Sequence, residues 1–138
     1  MITGGCNCGA VEFEVSGGVS QVYVCHCSIC RRFSGSNGMA VIVVANEQFR
    51  WLAGADEVRR WRKPGHDWES NFCPHCGSAV PGMNDPERMF VPAGAITEGA
   101  DGLEVAHHIW VGSRAPWDVI ADAGQQHPCA FGADPEQA

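Results

Sequence analysis

Gly5-Cys6-Asn7-Cys8-Gly9-Ala10-Val11-Glu12-Phe13-Glu14-Val15 is the stretch from which the fold can be read. Two cysteines one residue apart are followed by a glycine, and the chain then alternates apolar and acidic residues. That alternation places Val11, Phe13 and Val15 on one face and Glu12 and Glu14 on the other, the period of a half-buried strand. The glycine suits a turn that folds back on its own thiols, because glycine tolerates positive φ. The segment predicts a metal-binding turn running directly into a strand.

The same signature recurs at Cys73-Pro74-His75-Cys76-Gly77, a C-x-x-C closed by glycine. Between them lies Cys25-His26-Cys27-Ser28-Ile29-Cys30, followed by Arg31-Arg32 and not by glycine. Seven of the eight cysteines therefore fall in three clusters, and seven is one set of four plus one of three. Zinc takes four ligands in a structural site; in a catalytic site it has three protein ligands and one exchangeable position. The two glycine-closed turns pair as one four-sulfur site, Cys6, Cys8, Cys73 and Cys76. Cys25, Cys27 and Cys30 then form a second site with an open position. The alternative is a closed second site, with His26, His66, His75, His107 or His108 as fourth ligand. His26 sits between two ligands, so its side chain is expected to point away from their metal.

At 138 residues and 14.8 kDa the chain has room for one ordinary domain. Hydrophobic residues make up 45% and charged residues only 18%, which excludes a disordered chain. The net charge of −7 lacks the basic footprint of a nucleic-acid binder, and none is expected as a partner. The N-terminus has neither the basic start nor the apolar stretch of a signal peptide. The longest apolar run, Met39 to Ala45, is far short of the roughly 20 residues a membrane helix needs. A cytoplasmic location without membrane association follows as the expectation, and in a reducing compartment clustered cysteines read as metal ligands. The even cysteine count leaves a disulfide framework as the alternative.

Seventeen glycines and eight prolines imply frequent turns and few long helices. Strands are expected at 10–15, 39–45, 49–52, 57–62, 89–93 and 105–111. Short helical turns are expected from Ser28 through Phe33 and from Pro116 through Ala121. The expected fold is mainly β, made of short antiparallel sheets pinned by zinc knuckles. Residues 1–123 form the zinc-binding domain and 124–138 an irregular C-terminal tail. His107 and His108 lie on one strand and so face opposite ways.

Four stretches resemble the glutathione-dependent formaldehyde-activating enzyme family. They are residues 5–14, Cys25-His26-Cys27-Ser28-Ile29-Cys30-Arg31-Arg32-Phe33-Ser34-Gly35-Ser36, residues 72–78, and His108-Ile109-Trp110-Val111-Gly112-Ser113-Arg114-Ala115-Pro116-Trp117. The order of the clusters with the Arg-Arg-Phe-Ser-Gly-Ser and Arg-Ala-Pro-Trp extensions is specific to that family. The resemblance implies a tent-like β fold. It implies a structural zinc on Cys6, Cys8, Cys73 and Cys76 and a catalytic zinc on Cys25, Cys27 and Cys30. The implied activity is that of a carbon–sulfur lyase, joining formaldehyde to the glutathione thiol as S-hydroxymethylglutathione.

An open three-thiolate zinc can hold an incoming thiol as thiolate, the reactive form, or polarise an aldehyde oxygen. Glutathione carries two carboxylates, for which fork-shaped guanidiniums are suited. Arg31, Arg32 and Arg114 are candidate contacts, with Arg59 and Arg60 more remote. Ser34 and Ser36 are candidates for hydrogen bonding to a hydroxymethyl oxygen. Trp117 reads as a core or turn anchor. Cys129, outside every cluster, reads as a free thiol on the tail; in the alternative, the tail folds back so that Cys129 or His127 closes the second zinc. The competing reading for the whole chain is a non-catalytic zinc module that binds a protein or small ligand.

Overall fold

The computed structural model describes residues 1–132. The part of the expected tail at 133–138 lies outside the described residues. In chain order the strands are β1 (Ile2–Gly5), β2 (Glu12–Val15), β3 (Gln21–Cys25), β4 (Met39–Ala45), β5 (Phe49–Ala53) and β6 (Arg59–Arg62). They continue as β7 (Glu69–Phe72), β8 (Gly82–Asp85), β9 (Arg88–Pro92), β10 (Ile96–Glu98), β11 (Glu104–Ile109) and β12 (Gln125–Gln126). The single α-helix among the described residues, α1 (Ser28–Ser34), has seven residues. The protein is mostly β-sheet with a few short helical turns.

The chain packs as two compact units. The first comprises Met1–Val19 and Ile42–Gly102; the second comprises Ser20–Val41 and the chain from Leu103 onward. In the first unit β10, β1, β2 and β5 form an antiparallel sheet. The antiparallel pairs β6–β7 and β8–β9 also lie in this unit, outside that sheet. The alternation at 11–15 has the predicted result, since Val11, Phe13 and Val15 are all fully buried. Phe13 stacks on Phe49, whose edge meets Trp51.

The second unit is built on β3. One edge pairs antiparallel with the start of β4, Tyr23 opposite Val41 and Cys25 opposite Met39. The other edge pairs parallel with β11, Val24 opposite His108 and Ile109 opposite Cys25. On the far side β11 pairs parallel with β12. The sheet therefore delivers Cys25 and His108 to one end of neighbouring strands.

Two expected helical turns differ in detail. The cap of α1 is Cys27, not Ser28: its sulfur accepts the Cys30 backbone N–H at 3.3 Å. Pro116 and Trp117 form a turn without a helix, and Trp117 is exposed there, not buried as a core anchor. Among the described residues no helix is long and apolar enough to cross a membrane.

Phe13→Ala empties a fully buried site and is expected to cost about 3–5 kcal/mol in urea unfolding. Leu52→Ala, at a side chain 45% exposed, is expected to stay within about 1 kcal/mol of wild type. Equal losses would contradict the placement of the first unit's core.

Candidate metal centres

Cys6, Cys8, Cys73 and Cys76 bring their sulfurs within 4.8 Å of one another in the first unit. Cys6 and Cys8 Sγ are 3.5 Å apart, and Cys8 and Cys73 Sγ are 3.7 Å apart. A tetrahedral zinc with bonds near 2.3 Å spaces its sulfurs by about 3.8 Å. A disulfide needs about 2.05 Å, and all eight cysteines are free. The donor set fits a zinc-sized thiophilic ion.

Local structure explains how two distant turns converge. Gly9 and Gly77 both take positive φ, 80° and 76°, as the turn reading requires. Each donates its N–H to the carbonyl of the first cysteine of its own cluster. Ser78 joins the two turns: its Oγ accepts the Asn7 N–H at 3.0 Å and lies 3.2 Å from Cys76 Sγ. The Ser78 hydroxyl and backbone hydrogen bonds hold the Cys76 thiol down to about 5. Cys73 is fully buried with Val11 and Val80, and Cys6 and Cys76 pack against that cluster. This centre is therefore continuous with a hydrophobic core. His75 turns to Glu57 at 2.9 Å.

The second group, Cys25, Cys27 and Cys30, also has all its sulfurs within 4.8 Å of one another. Cys25 ends β3, Cys27 caps α1 and Cys30 lies in its first turn. Hydrogen bonds from Cys25 and Cys30 bring the Cys27 thiol down to about 2, and the same sharing pushes Cys25 well up. Cys27 thus readily takes negative charge while Cys25 holds its proton. Among the described residues no further His, Cys, Asp or Glu joins this group. His26, His107, His108, His127 and Cys129 are placed elsewhere.

His26 is 1% exposed and points into a buried polar chain. Its Nε2 meets His108 Nδ1 at 2.8 Å, and His108 Nε2 meets Asp122 Oδ1 at 2.8 Å. On the other side His26 Nδ1 faces Asp118 Oδ2 at 3.5 Å, while Asp118 Oδ1 accepts from Asn37 at 3.0 Å. Burial and the neighbouring His108 lower the pKa of His26, which favours its neutral form. With one proton on each ring there are two N–H groups for three contacts, and the two at 2.8 Å take them. His108 Nε2–H donates to Asp122, since a carboxylate only accepts, and His26 Nε2–H donates to His108 Nδ1, leaving the 3.5 Å contact to Asp118 without a proton. Neutral His26 is left with a lone pair on Nδ1, facing the lone pairs of Asp118. That conflict explains why His26 Nδ1 and Asp118 Oδ2 are buried without a hydrogen-bond partner. Sequence reasoning singled out His26 and His108 but missed Asp118 and Asp122, which lie on an irregular stretch with no period to announce them.

The other candidates are dispersed. Arg31 donates Nε to the His26 carbonyl at 3.4 Å and Nη2 to the Ser113 carbonyl at 3.2 Å. Arg32 and Arg114 are exposed, as are Arg59 and Arg60 in the first unit. Ser34 Oγ donates to the Gly38 carbonyl at 2.9 Å, and Ser36 Oγ lies 3.0 Å from Asn37 Oδ1. Cys129 is a free thiol, and a buried one, because its segment runs along β11: His127 N–H donates to the His108 carbonyl and Trp110 N–H to that of Cys129. Trp110, with φ of 56°, is the only non-glycine among the described residues at positive φ. It turns the chain from β11 toward the Ser113 carbonyl that Arg31 contacts.

A small β-protein with two cysteine clusters able to hold metal is the class that these features define. Residues 1–113 match the profile of the family described as glutathione-dependent formaldehyde-activating enzyme. The chain belongs to that family. A candidate glutathione-dependent formaldehyde-activating enzyme of Halomonas elongata is 28% identical over 142 aligned positions, spanning 96% of this chain and 88% of that protein. A crystal structure of a Rhodobacter sphaeroides protein superposes with a TM-score of 0.57 at 27% identity, covering 75% of this chain and 96% of that one.

Gly77→Ala isolates the backbone demand of the four-cysteine centre, since nothing lies within 4 Å of an added Cβ. Its expected cost is about 1–2 kcal/mol from φ alone. Gly94→Ala, equally uncrowded and not at positive φ, is expected to cost less than about 0.5 kcal/mol by the same urea titration.

Proposed function

We propose that this chain is a zinc-dependent carbon–sulfur lyase for a small thiol–aldehyde adduct, joining formaldehyde to glutathione as S-hydroxymethylglutathione or handling a close analogue. The carrying observation is the inequality of the two clusters: four sulfurs in one, three in the other, with no further His, Cys, Asp or Glu joining the three among the described residues. Membership of the family supports the same reading. Cys6, Cys8, Cys73 and Cys76 hold a structural zinc, and Cys25, Cys27 and Cys30 hold the second, within a catalytic domain spanning residues 1–123.

Zinc at the trio would supply an exchangeable position where a substrate thiol is held as thiolate. Three protein thiolates leave that ion little residual charge, which favours exchange over strong polarisation of water. In the reaction the substrate sulfur bonds to the aldehyde carbon, the carbon–oxygen π bond breaks, and the proton lost by the thiol ends on that oxygen. Arg32 and Arg114 have exposed guanidiniums for the carboxylates of glutathione. Arg31 braces the cysteine loop through its two carbonyl contacts, and the Ser34 and Ser36 hydroxyls, at the end of α1 and in the turn after it, are the candidates for the hydroxymethyl oxygen.

The test is the exchange rate between formaldehyde, glutathione and their adduct, followed by NMR with and without protein. Acceleration by the wild type that Cys27→Ser abolishes is expected; no acceleration with glutathione or other small thiols would leave the non-catalytic module as the better reading. Cys76→Ser is expected to unfold the protein in circular dichroism melts, because a structural zinc site contributes on the order of 10 kcal/mol to folding. Cys27→Ser is expected to remain folded, and equal destabilisation would overturn the division of roles.

The two centres should also respond differently to substrate thiol. With cobalt in both, excess glutathione is expected to shift the thiolate charge-transfer bands of one ion and leave the other unchanged. A shift in both, or in neither, would contradict an open trio.

A further inference from the structure

The polar chain Asp122–His108–His26–Asp118 has no role in the reaction just described, yet it runs through the residue between two of the trio's cysteines. Every polar group of His26 except Nδ1 is held. Its N–H donates to the Ile109 carbonyl at 2.9 Å, its carbonyl accepts from Arg31, and its Nε2 meets His108. Cys27 beside it has extended backbone, φ −64° and ψ 155°. Neighbouring side chains on extended backbone point to opposite sides, so the ring of His26 and the sulfurs of Cys25 and Cys27 turn together about one short piece of chain. Holding that ring therefore restrains the backbone that carries two of the three sulfurs.

We propose that Asp122, His108 and His26 form a hydrogen-bonded strut that positions the cysteine loop, so that a surface carboxylate governs how tightly the trio holds a metal ion. This rests on the trio being a metal site, as argued above. Asp122 is 45% exposed at its side chain, whereas the two rings it anchors are 5% and 1% exposed. Hydrogen bonds among buried groups are strong and leave few alternative arrangements. The strut has a direction. Protons point from His26 to His108 to Asp122, so Asp122 is the anchoring end. Asp118, facing His26 acceptor to acceptor, opposes the arrangement. These are positioning residues, since none contributes a ligand atom to the trio.

The direction separates three substitutions. Asp122→Ala removes the anchoring acceptor and frees His108. Asp122→Asn keeps an acceptor oxygen for His108 Nε2 and for the Gly124 N–H, which Asp122 Oδ1 accepts at 2.8 Å. Asp118→Asn keeps an oxygen for Asn37 and offers an N–H to the lone pair of His26 Nδ1, relieving the conflict.

Affinity for the second zinc ion, measured on the full chain by competition with a chromogenic chelator, reads the effect. Asp122→Ala is expected to weaken it about tenfold or more, the scale on which partners outside the ligand set act. The first ion and the melting temperature should stay close to wild type, and the charge-transfer bands of cobalt at the trio should move. Asp122→Asn should restore both affinity and spectrum, and Asp118→Asn should hold the second ion at least as tightly as wild type. An Asp122→Ala protein with unchanged second-ion affinity, or one that loses both ions alike, overturns the strut. A loss in Asp118→Asn as large as in Asp122→Ala overturns its direction and the anchoring role with it. A wild-type chain that retains one ion only overturns the metal assignment of the trio itself, and is seen before any variant is compared.

Discussion

Sulfur atoms crowded within 4.8 Å of one another set the terms on which this structure exists. As thiolates they repel, by about 4 kcal/mol for a pair of unit charges about 4 Å apart near a protein surface. As thiols they are weak hydrogen-bonding groups that give little back for being gathered. A divalent ion reverses the sign of the interaction. The first unit commits Cys73 to its core on that basis, with Val11 and Val80 around it, so loss of the ion there would place repelling or unsatisfied sulfur against buried apolar surface. The two glycines at positive φ are the local cost of bringing the turns together.

The trio obeys the same constraint differently. Its cysteines are contributed by one short loop at the end of β3, and its surroundings are polar: a histidine pair, two aspartates and an arginine that reaches two carbonyls. One centre is set in packing, the other in hydrogen bonds. Packing resists change in any direction, whereas hydrogen bonds define orientation and allow exchange. That contrast suits the division between holding the fold and doing chemistry.

Most of the architecture was legible because its signals are local. The alternation of 11–15, the run of 39–45 and the glycines after Cys8 and Cys76 act on their own neighbours, and each appears where local rules place it. The opposite facing of His107 and His108 follows from strand period alone: one stacks on Tyr23, the other is buried against His26. What could not be read is long-range. β1 and β3 were missed because glycines fill half of Ile2–Gly5 and Gln21–Cys25 ends in a ligand motif. The burial of Cys129 was not foreseen because it depends on backbone bonds to the loop after β11, and nothing in a stretch rich in glycine and proline announces those. Asp118 and Asp122 gain meaning only once β11 sets His108 in register with Val24.

The order of strands in the second unit carries a consequence for synthesis. Gln21–Cys25 and Glu104–Ile109 share a sheet, with the whole of the first unit's second segment intervening in the chain. During translation the first unit has all its residues once position 102 emerges, including every cysteine of its four-sulfur group. The three cysteines of the other group are made earlier than Cys73 and Cys76, yet the strand beside them and the aspartates behind them arrive last. On the ribosome those three thiols therefore remain without their flanking strand after the four-sulfur group has all its cysteines. The sequence order of the strands thus lets the four-sulfur group be completed before the three-sulfur one.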